Sequence, residues 1–209
     1  MATLLQTELV MRDQGLTGSS GSADDDTVQL MSRAAEGDAR AFDQLIERFW
    51  TPAFLYALSL TKDSDLAADL AQDAFARLWI ARKSIVSPGS VRVYLLRSVR
   101  NSFISDKRRW KVRMRSLVLT PPEAERSPRT PLQDVESAEL QEAMREAIAN
   151  LAPRRRQAFT LFHQQDLSYR EIAEVMEIRP QSVANLLQAA MTDLRAALRE
   201  FLPGGRERA

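Results

Sequence analysis

The stretch Leu167–Glu200, LSYREIAEVMEIRPQSVANLLQAAMTDLRAALRE, carries two helical patterns joined by a tight turn. Ser168 is positioned as an N-cap, and Glu171 three residues on completes a capping box that starts a short helix through Ile172, Ala173 and Met176. A longer helix begins near Pro180, because the N–H that proline lacks has no partner in a first helical turn. Val183, Leu187, Ala190, Leu194 and Leu198 then recur at helical spacing and make one apolar stripe. A short helix, a turn of about four residues and a longer helix form a helix-turn-helix, whose second helix can enter a DNA major groove. The same pattern also fits an ordinary helical hairpin in a bundle.

Composition narrows the alternatives. The 209 residues are enough for one or two domains with real cores, and 44% hydrophobic content with only 7 glycines reads as helix-rich. A formal net charge of +1 gives no global basic signal, so any nucleic-acid footprint must come from uneven charge. With no cysteine and a single histidine, His163, the chain lacks disulfides, thiolate zinc sites, cysteine nucleophiles and multi-histidine metal sites. No apolar run approaches the roughly 18–20 residues of a membrane span, and no basic segment followed by an apolar one opens the chain. A cytoplasmic protein that needs no metal or cofactor and makes no membrane contact is expected.

Residues 1–25 end in GLTGSSGSADDD, too polar to order itself, and read as a flexible tail. The preceding LLQTELVM is apolar enough to dock, although a disordered terminus accounts for it as well. Order is expected from near Thr27, with Val28, Leu30, Met31 and Ala34 on a short helix that Gly37 ends. Asp38 caps a longer helix carrying Phe42, Leu45, Phe54, Leu55 and Leu58, which Pro52 bends or splits. Asp63 or Ser64 caps the next, with Leu66, Leu70, Ala74, Phe75, Leu78 and Trp79 as its core face. The opposite face carries Asp65, Asp69, Gln72 and Asp73, by spacing alone a solvated surface.

After a loop marked by Pro88 and Gly89, with Ser90 as a cap, the pattern from Val91 to about Leu117 is helical and one-sided in charge. Arg92, Arg97, Arg100, Lys107, Arg108, Arg109, Lys111, Arg113 and Arg115 meet only Asp106 as counter-charge, and Tyr94, Phe103 and Trp110 interleave. Cations for phosphates beside rings that stack on bases suit single-stranded nucleic acid, while Tyr94 and Phe103 serve equally as core. The proline-rich, charged TPPEAERSPRTP at 120–131 reads as a linker. Asp134 then caps a helix through Val135, Leu140, Met144, Ile148 and Leu151, and Pro153 opens another through Phe159 and Phe162. The expected fold is all-α: two small helical domains joined by a flexible linker, the second ending in the helix-turn-helix.

The order of parts resembles the sigma-70 family of bacterial RNA polymerase initiation factors, specifically its compact two-domain extracytoplasmic-function (ECF) group. The likeness rests on GDARAFDQLIERF (37–49), DLAQDAFARLW (69–79), VYLLRSVRNSFISDKRR (93–109), LAPRRRQAF (151–159) and LSYREIAEVM (167–176). It implies a tail at 1–25, sigma domain 2 at 26–117, a linker at 118–133, sigma domain 4 at 134–202 and a short tail at 203–209.

In this family the helix matching DLAQDAF docks on the beta-prime clamp helices of core RNA polymerase, so the resemblance implies polymerase-binding roles for Asp69, Gln72, Asp73 and Phe75, with the beta subunit a further contact. Ala68 stands where an acidic residue is common. The basic helix resembles the reader and melter of the minus-ten promoter element, implying DNA contacts from Lys83, Ser84, Arg92, Arg97, Arg100, Asn101, Lys107, Arg108, Arg109 and Trp110, with a flipped base held against the loop at 83–90. Tyr94 replaces the usual tryptophan.

The helix-turn-helix implies minus-35 contacts from Tyr169, Arg170, Arg179, Gln181, Ser182, Asn185 and Gln188. Here the sequence departs from the family. Val183-Ala184-Asn185-Leu186-Leu187-Gln188-Ala189-Ala190-Met191 has no cation between Arg179 and Arg195, so weak minus-35 binding is expected, with Asn or Gln to adenine the natural pairing. Leu186 and Met191 lie off the main stripe, and as an exposed apolar pair they are candidate contacts for an additional DNA-targeting factor. A shifted helix interface accounts for them too.

The implied function is a non-catalytic initiation subunit that binds core polymerase and promoter DNA and opens the duplex at minus ten, with an anti-sigma factor as a candidate regulator. Nothing resembles an active site: a nucleophile, metal cluster and phosphate-binding glycine loop are all missing. A sigma mimic that titrates an anti-sigma or other regulatory protein without opening DNA is the alternative. A stand-alone dimeric helix-turn-helix regulator leaves the acidic face and the linker unexplained.

Overall fold

The structure, a computed structural model, describes residues 21–85, 88–116 and 135–201, with side chains over 25–85, 91–105, 139–199 and 201. Among these the fold is all-α: α1 (Gly21–Ala35), α2 (Ala39–Thr61), α3 (Ser64–Ala81), α4 (Pro88–Ser116), α5 (Val135–Asn150), α6 (Pro153–His163), α7 (Tyr169–Met176) and α8 (Pro180–Ala197), then a 3-10 turn at Arg199–Phe201. The proposed linker at 118–133, the Asp134 cap and the segment LLQTELVM lie outside the described residues.

Local chemistry sets most helix ends. Gly37, at φ +102°, closes α1 in a conformation that costs a side chain dearly, and Asp38 N donates back to Arg33 O at 3.0 Å. Asp38 also starts α2 by accepting from Ala41 N at 3.2 Å, while the Arg33 guanidinium reaches its Oδ2 at 2.6 Å. Asp63 Oδ1 accepts from Asp65 N and Leu66 N, both at 2.9 Å, and so opens α3. Pro153 and Pro180 sit in the first turns of α6 and α8. The Ser168 box is complete: Ser168 Oγ accepts from Glu171 N at 3.3 Å, and Glu171 Oε2 accepts from Ser168 N at 2.8 Å.

Three expectations about ends are corrected. Helix α1 starts at Gly21 rather than near Thr27, so part of the anticipated tail is helical; acidic residues near a helix N-terminus complement its dipole, and Thr27 is buried. Of the two alternatives for Pro52, a bend or a split, the split is excluded, because α2 runs on to Thr61 around it. Helix α4 begins at Pro88, ahead of the anticipated Ser90 cap.

Two apolar clusters hold the helices. The smaller joins Ala147 and Leu151 of the α5 end to Phe159 of α6 and Ala190, Leu194 and Leu198 of the α8 stripe. The larger begins in α1–α4, with Leu45, Tyr56, Leu70, Leu78, Val91 and Leu95, and continues through Leu161, Phe162 and Leu167 into Ile172, Met176, Val183 and Leu187. The two helical regions, 21–116 and 135–201, therefore share an interior: α2 packs on α6, and α4 packs on α7. Five residues read as apolar-face positions, Val28, Leu55, Leu66, Leu140 and Met144, are exposed instead. Helical spacing gives the direction of an apolar face, but whether a neighbour covers it depends on tertiary packing.

Candidate functional surfaces

Helix α3 is buried along Ala67, Leu70, Ala71, Ala74, Phe75 and Leu78, which turns Asp69 and Gln72 outward as exposed side chains. Asp73 is half-buried and committed: its Oδ2 accepts from Arg77 Nε at 2.9 Å and from Ser102 Oγ of α4 at 2.8 Å. Phase along the helix places Phe75 in the core, only 4% exposed and stacked on Trp50 at 6.0 Å, which corrects its assignment as a polymerase-facing residue. The outward face of this helix is thus Asp69 and Gln72, with exposed Leu66 one turn before Asp69.

On α4 the cations divide by burial. Arg97 is exposed, its guanidinium 5.9 Å from the Tyr94 ring centre, and Lys83 and Ser84 are exposed in the preceding loop. Arg100 is buried at 8% exposure and donates from Nη1 to Asn101 Oδ1 at 3.3 Å, so it is not the solvent-facing cation the sequence suggested. Burial pulls the Arg92 guanidinium below its ordinary pKa, while Glu171 and Asp166 of the second region push it back up. Asn101 Nδ2 donates to Glu177 Oε1 at 2.9 Å, again across the two regions. Tyr94 and Phe103 are half-buried against the core, and the Tyr94 hydroxyl donates to Arg77 O at 3.3 Å. Lys107, Arg108, Arg109 and Trp110 fall on α4, but their side chains lie outside the described residues.

In the second region, residues 177–179 make the turn between α7 and α8, with Glu177 in the left-handed conformation at φ 55° and its N–H on Ala173 O. Arg170, Arg179, Gln181, Ser182, Asn185 and Gln188 are all exposed. Gln181 Nε2 donates to Asn185 Oδ1 at 3.4 Å along one face of α8. Tyr169 is half-buried, its ring 5.6 Å from Phe162. Leu186 packs against the larger cluster and Met191 against the smaller, which corrects the expectation that they form an exposed apolar pair.

Residues 45–112 match the family model for sigma-70 region 2, and residues 141–194 match that for sigma-70 region 4. Among curated proteins the chain is similar to the ECF RNA polymerase sigma factor SigM of Bacillus subtilis, at 28% identity over 155 residues, covering 74% of this chain and 93% of that protein. The chain belongs to the ECF group of sigma-70 family sigma factors. It is also similar to the RNA polymerase sigma-H factor of Pseudomonas aeruginosa, at 25% identity, covering 83% of this chain and 94% of that protein. Two solved structures share the fold. The sigma factor RpoE of Bartonella quintana, bound to the anti-sigma factor NepR, aligns with TM-score 0.62 and 20% identity over 76% of this chain and 96% of its own. CnrH, in complex with the cytosolic domain of CnrY, aligns with TM-score 0.58 and 24% identity over 83% and 97%.

The sigma factor's family is one of non-catalytic transcription initiation factors. Among the described residues no cluster of metal-binding side chains occurs, and no helix is long and apolar enough to cross a membrane. Sequence reasoning missed Gln165, Asp166, Glu171 and Glu177 as residues that face the first region, because nothing local in a sequence marks a contact 76 residues away.

Proposed function

We propose that this sigma factor is a cytoplasmic, non-catalytic subunit that binds core RNA polymerase through the outer face of α3 and opens promoter DNA at minus ten through α4. The observation that carries the reading is the division of α3: its inner face is core, while Asp69 and Gln72 stand free on the outer one. A carboxylate and an amide at this spacing can pair with cations on a partner helix and set its register. Arg97, Lys83 and the cations at 107–109 supply phosphate contacts on α4, and the ring of Trp110 a stacking surface.

Readout at minus 35 is weak in this proposal. The exposed face of α8 offers Gln181, Ser182, Asn185 and Gln188, which can hydrogen-bond to bases, but Arg179 is its only cation before Arg195. A second DNA-targeting factor is accordingly a candidate partner on this region, with a smaller role for Leu186 and Met191 because both are partly buried. An anti-sigma factor is a candidate regulator, supported by the similar fold of RpoE, which was solved with the anti-sigma factor NepR. In-vitro transcription with the cognate core polymerase, with start sites mapped and melted thymines detected by permanganate, tests the proposal. Discrete starts that disappear on changing Asp69 and Gln72 are expected. Tight core binding without any specific start would replace it with the sigma mimic, which the cation-poor α8 favours.

A further inference from the structure

Helix α3 carries one side chain that neither the core nor the Asp69 and Gln72 pair accounts for. Ile80, in its last turn, is 78% exposed, against 46% for Leu55, the next most exposed large hydrophobic among the described residues. Its neighbours are packed: Leu78 lies in the core, and the ring centres of Trp79 and Phe42 are 4.9 Å apart. Two residues past Leu78 is about 200° around a helix, so the inward phase of α3 itself holds Ile80 out in solvent.

A lone exposed aliphatic residue is ordinary, but the direction of this one is informative. Ile80 stands three turns after Asp69 on the same line of α3, within about 20° of it and roughly 16 Å farther along the axis. Ala76, exposed and small, lies between them and lets a partner helix come close. The outer face therefore runs Asp69, Gln72, Ala76, Ile80, polar at one end and aliphatic at the other.

Magnitudes decide what the aliphatic end does. Asp73 already accepts from Arg77 and Ser102, which leaves Asp69 and Gln72 as the outward polar groups offered to a partner. Exposed ion pairs add little net free energy and weaken with salt, whereas a buried aliphatic side chain contributes in proportion to its apolar area. Two polar groups can set the register of a partner helix, and a few buried anchors carry most of the strength of an interface.

We infer that Ile80 is the apolar anchor of the docking face, seated in an aliphatic socket of core polymerase about three turns from the cation that meets Asp69. The inference rests on the outer face of α3 being the polymerase-docking surface. DNA is the other macromolecule within reach, because Lys83 and Ser84 follow in the loop. Charge disfavours it: the line that Ile80 shares carries the Asp69 carboxylate, which repels phosphate, and the nearby cation Arg77 is paired with Asp73 at 2.9 Å.

Binding of the full chain to core polymerase tests the anchor, measured at low and high salt for the parent, Ile80→Ala, Ile80→Leu and a variant carrying both Asp69→Asn and Gln72→Ala. We expect Ile80→Ala to weaken binding about tenfold at both salt concentrations, Ile80→Leu to recover most of that loss, and the loss in the polar variant to shrink as salt rises. Thermal melts should show the same Tm for Ile80→Ala as for the parent, because an exposed side chain holds nothing in the fold. If the polar variant loses affinity and Ile80→Ala does not, the anchor is overturned and the docking face stands; loss of permanganate-reactive thymines in that Ile80→Ala holoenzyme would then assign the residue to DNA. If neither loses affinity, the docking reading fails and the anchor with it. A loss confined to Ile80→Ala separates the residue from Asp69 and also overturns both. A loss that follows a lowered Tm makes Ile80 structural and overturns the anchor.

Discussion

Phe75 tests whether α3 divides as described into a core face and a docking face. Its ring is 4% exposed and lies 6.0 Å from Trp50 at an interplanar angle of 21°, and Trp50 in turn stacks on Phe54 at 6.4 Å. Phe75→Ala removes a buried side chain whose transfer from water is worth roughly 1.5–3 kcal/mol. An aromatic contact of about 0.5–1.5 kcal/mol and a residual cavity add to that, so the expected loss is about 3–5 kcal/mol. For a chain of this length each kcal/mol lowers Tm by about 2–4 °C, which predicts a fall of about 6–20 °C. Urea unfolding followed by circular dichroism measures the loss, and binding to core polymerase, corrected for the folded fraction, measures docking. Phe75→Ala should cost stability and leave the affinity of the folded molecule nearly unchanged. Asp69→Asn with Gln72→Ala should do the reverse, within about 0.5 kcal/mol of the parent in stability. If Phe75→Ala costs less than about 1 kcal/mol while cutting polymerase affinity tenfold, the ring belongs to the docking face and the division of α3 is wrong.

Tyr56 is wholly buried, its hydroxyl has no partner, and burial pushes its ionisation well above the ordinary phenol value. Tyr56→Phe should therefore be neutral or stabilising by about 1 kcal/mol in thermal melts, where most core substitutions destabilise. Asp63→Ala strips the acceptor from two backbone N–H groups at the start of α3 and should cost about 1 kcal/mol, read from the urea midpoint. The Arg33 guanidinium and the Ala41 N–H hold the Asp38 carboxyl below its usual pKa. A depressed folded-state value means that the contribution of Asp38 is complete above the ordinary carboxylate range and is lost as pH falls through the lowered value. A melt series below about pH 4 should show that loss in the parent chain and less of it in Arg33→Ala.

Legibility in the sequence follows the range of the interaction. The Ser168 box, the Asp38 and Asp63 caps and the first-turn prolines Pro153 and Pro180 each depend on residues within three or four positions, and each stands where the pattern put it. The apolar stripe of α8 was equally visible, since helical spacing alone generates it. Exposure was harder. Leu140 and Met144 continue a good stripe on α5, yet the covered part of that helix is its later half, at Ala147, together with Leu151 just past its end. Arg100 reads as one cation among many on α4, and only the packed structure shows it buried beside Asn101. Within the candidate surfaces, Asp69 and Gln72 were read correctly as outward-facing. Phe75 was read as core by its spacing, as the structure has it; only the family motif, which names residues without saying which of them serve the core, added it to the docking face.

The composition of α8 points to one consequence for how affinity is distributed. Binding to DNA draws most of its strength from phosphate neutralisation, which needs cations, whereas neutral amides and hydroxyls supply selectivity once the protein is already placed. On α8 the exposed face holds four neutral hydrogen-bonding side chains between Arg179 at its cap and Arg195 in its last turn, so on the proposed reading it can select a sequence but adds little attraction of its own. The cations lie on α4 and its preceding loop, where Glu177 of the second region accepts from Asn101 and the charges of Glu171 and Asp166 act on Arg92. On the proposed reading, α4 supplies most of the attraction for DNA and α8 is too weakly charged to bind alone. On the proposed reading, a scaffold that holds the chain by the outer face of α3 leaves the α8 face free, and placement there supplies the attraction that α8 lacks.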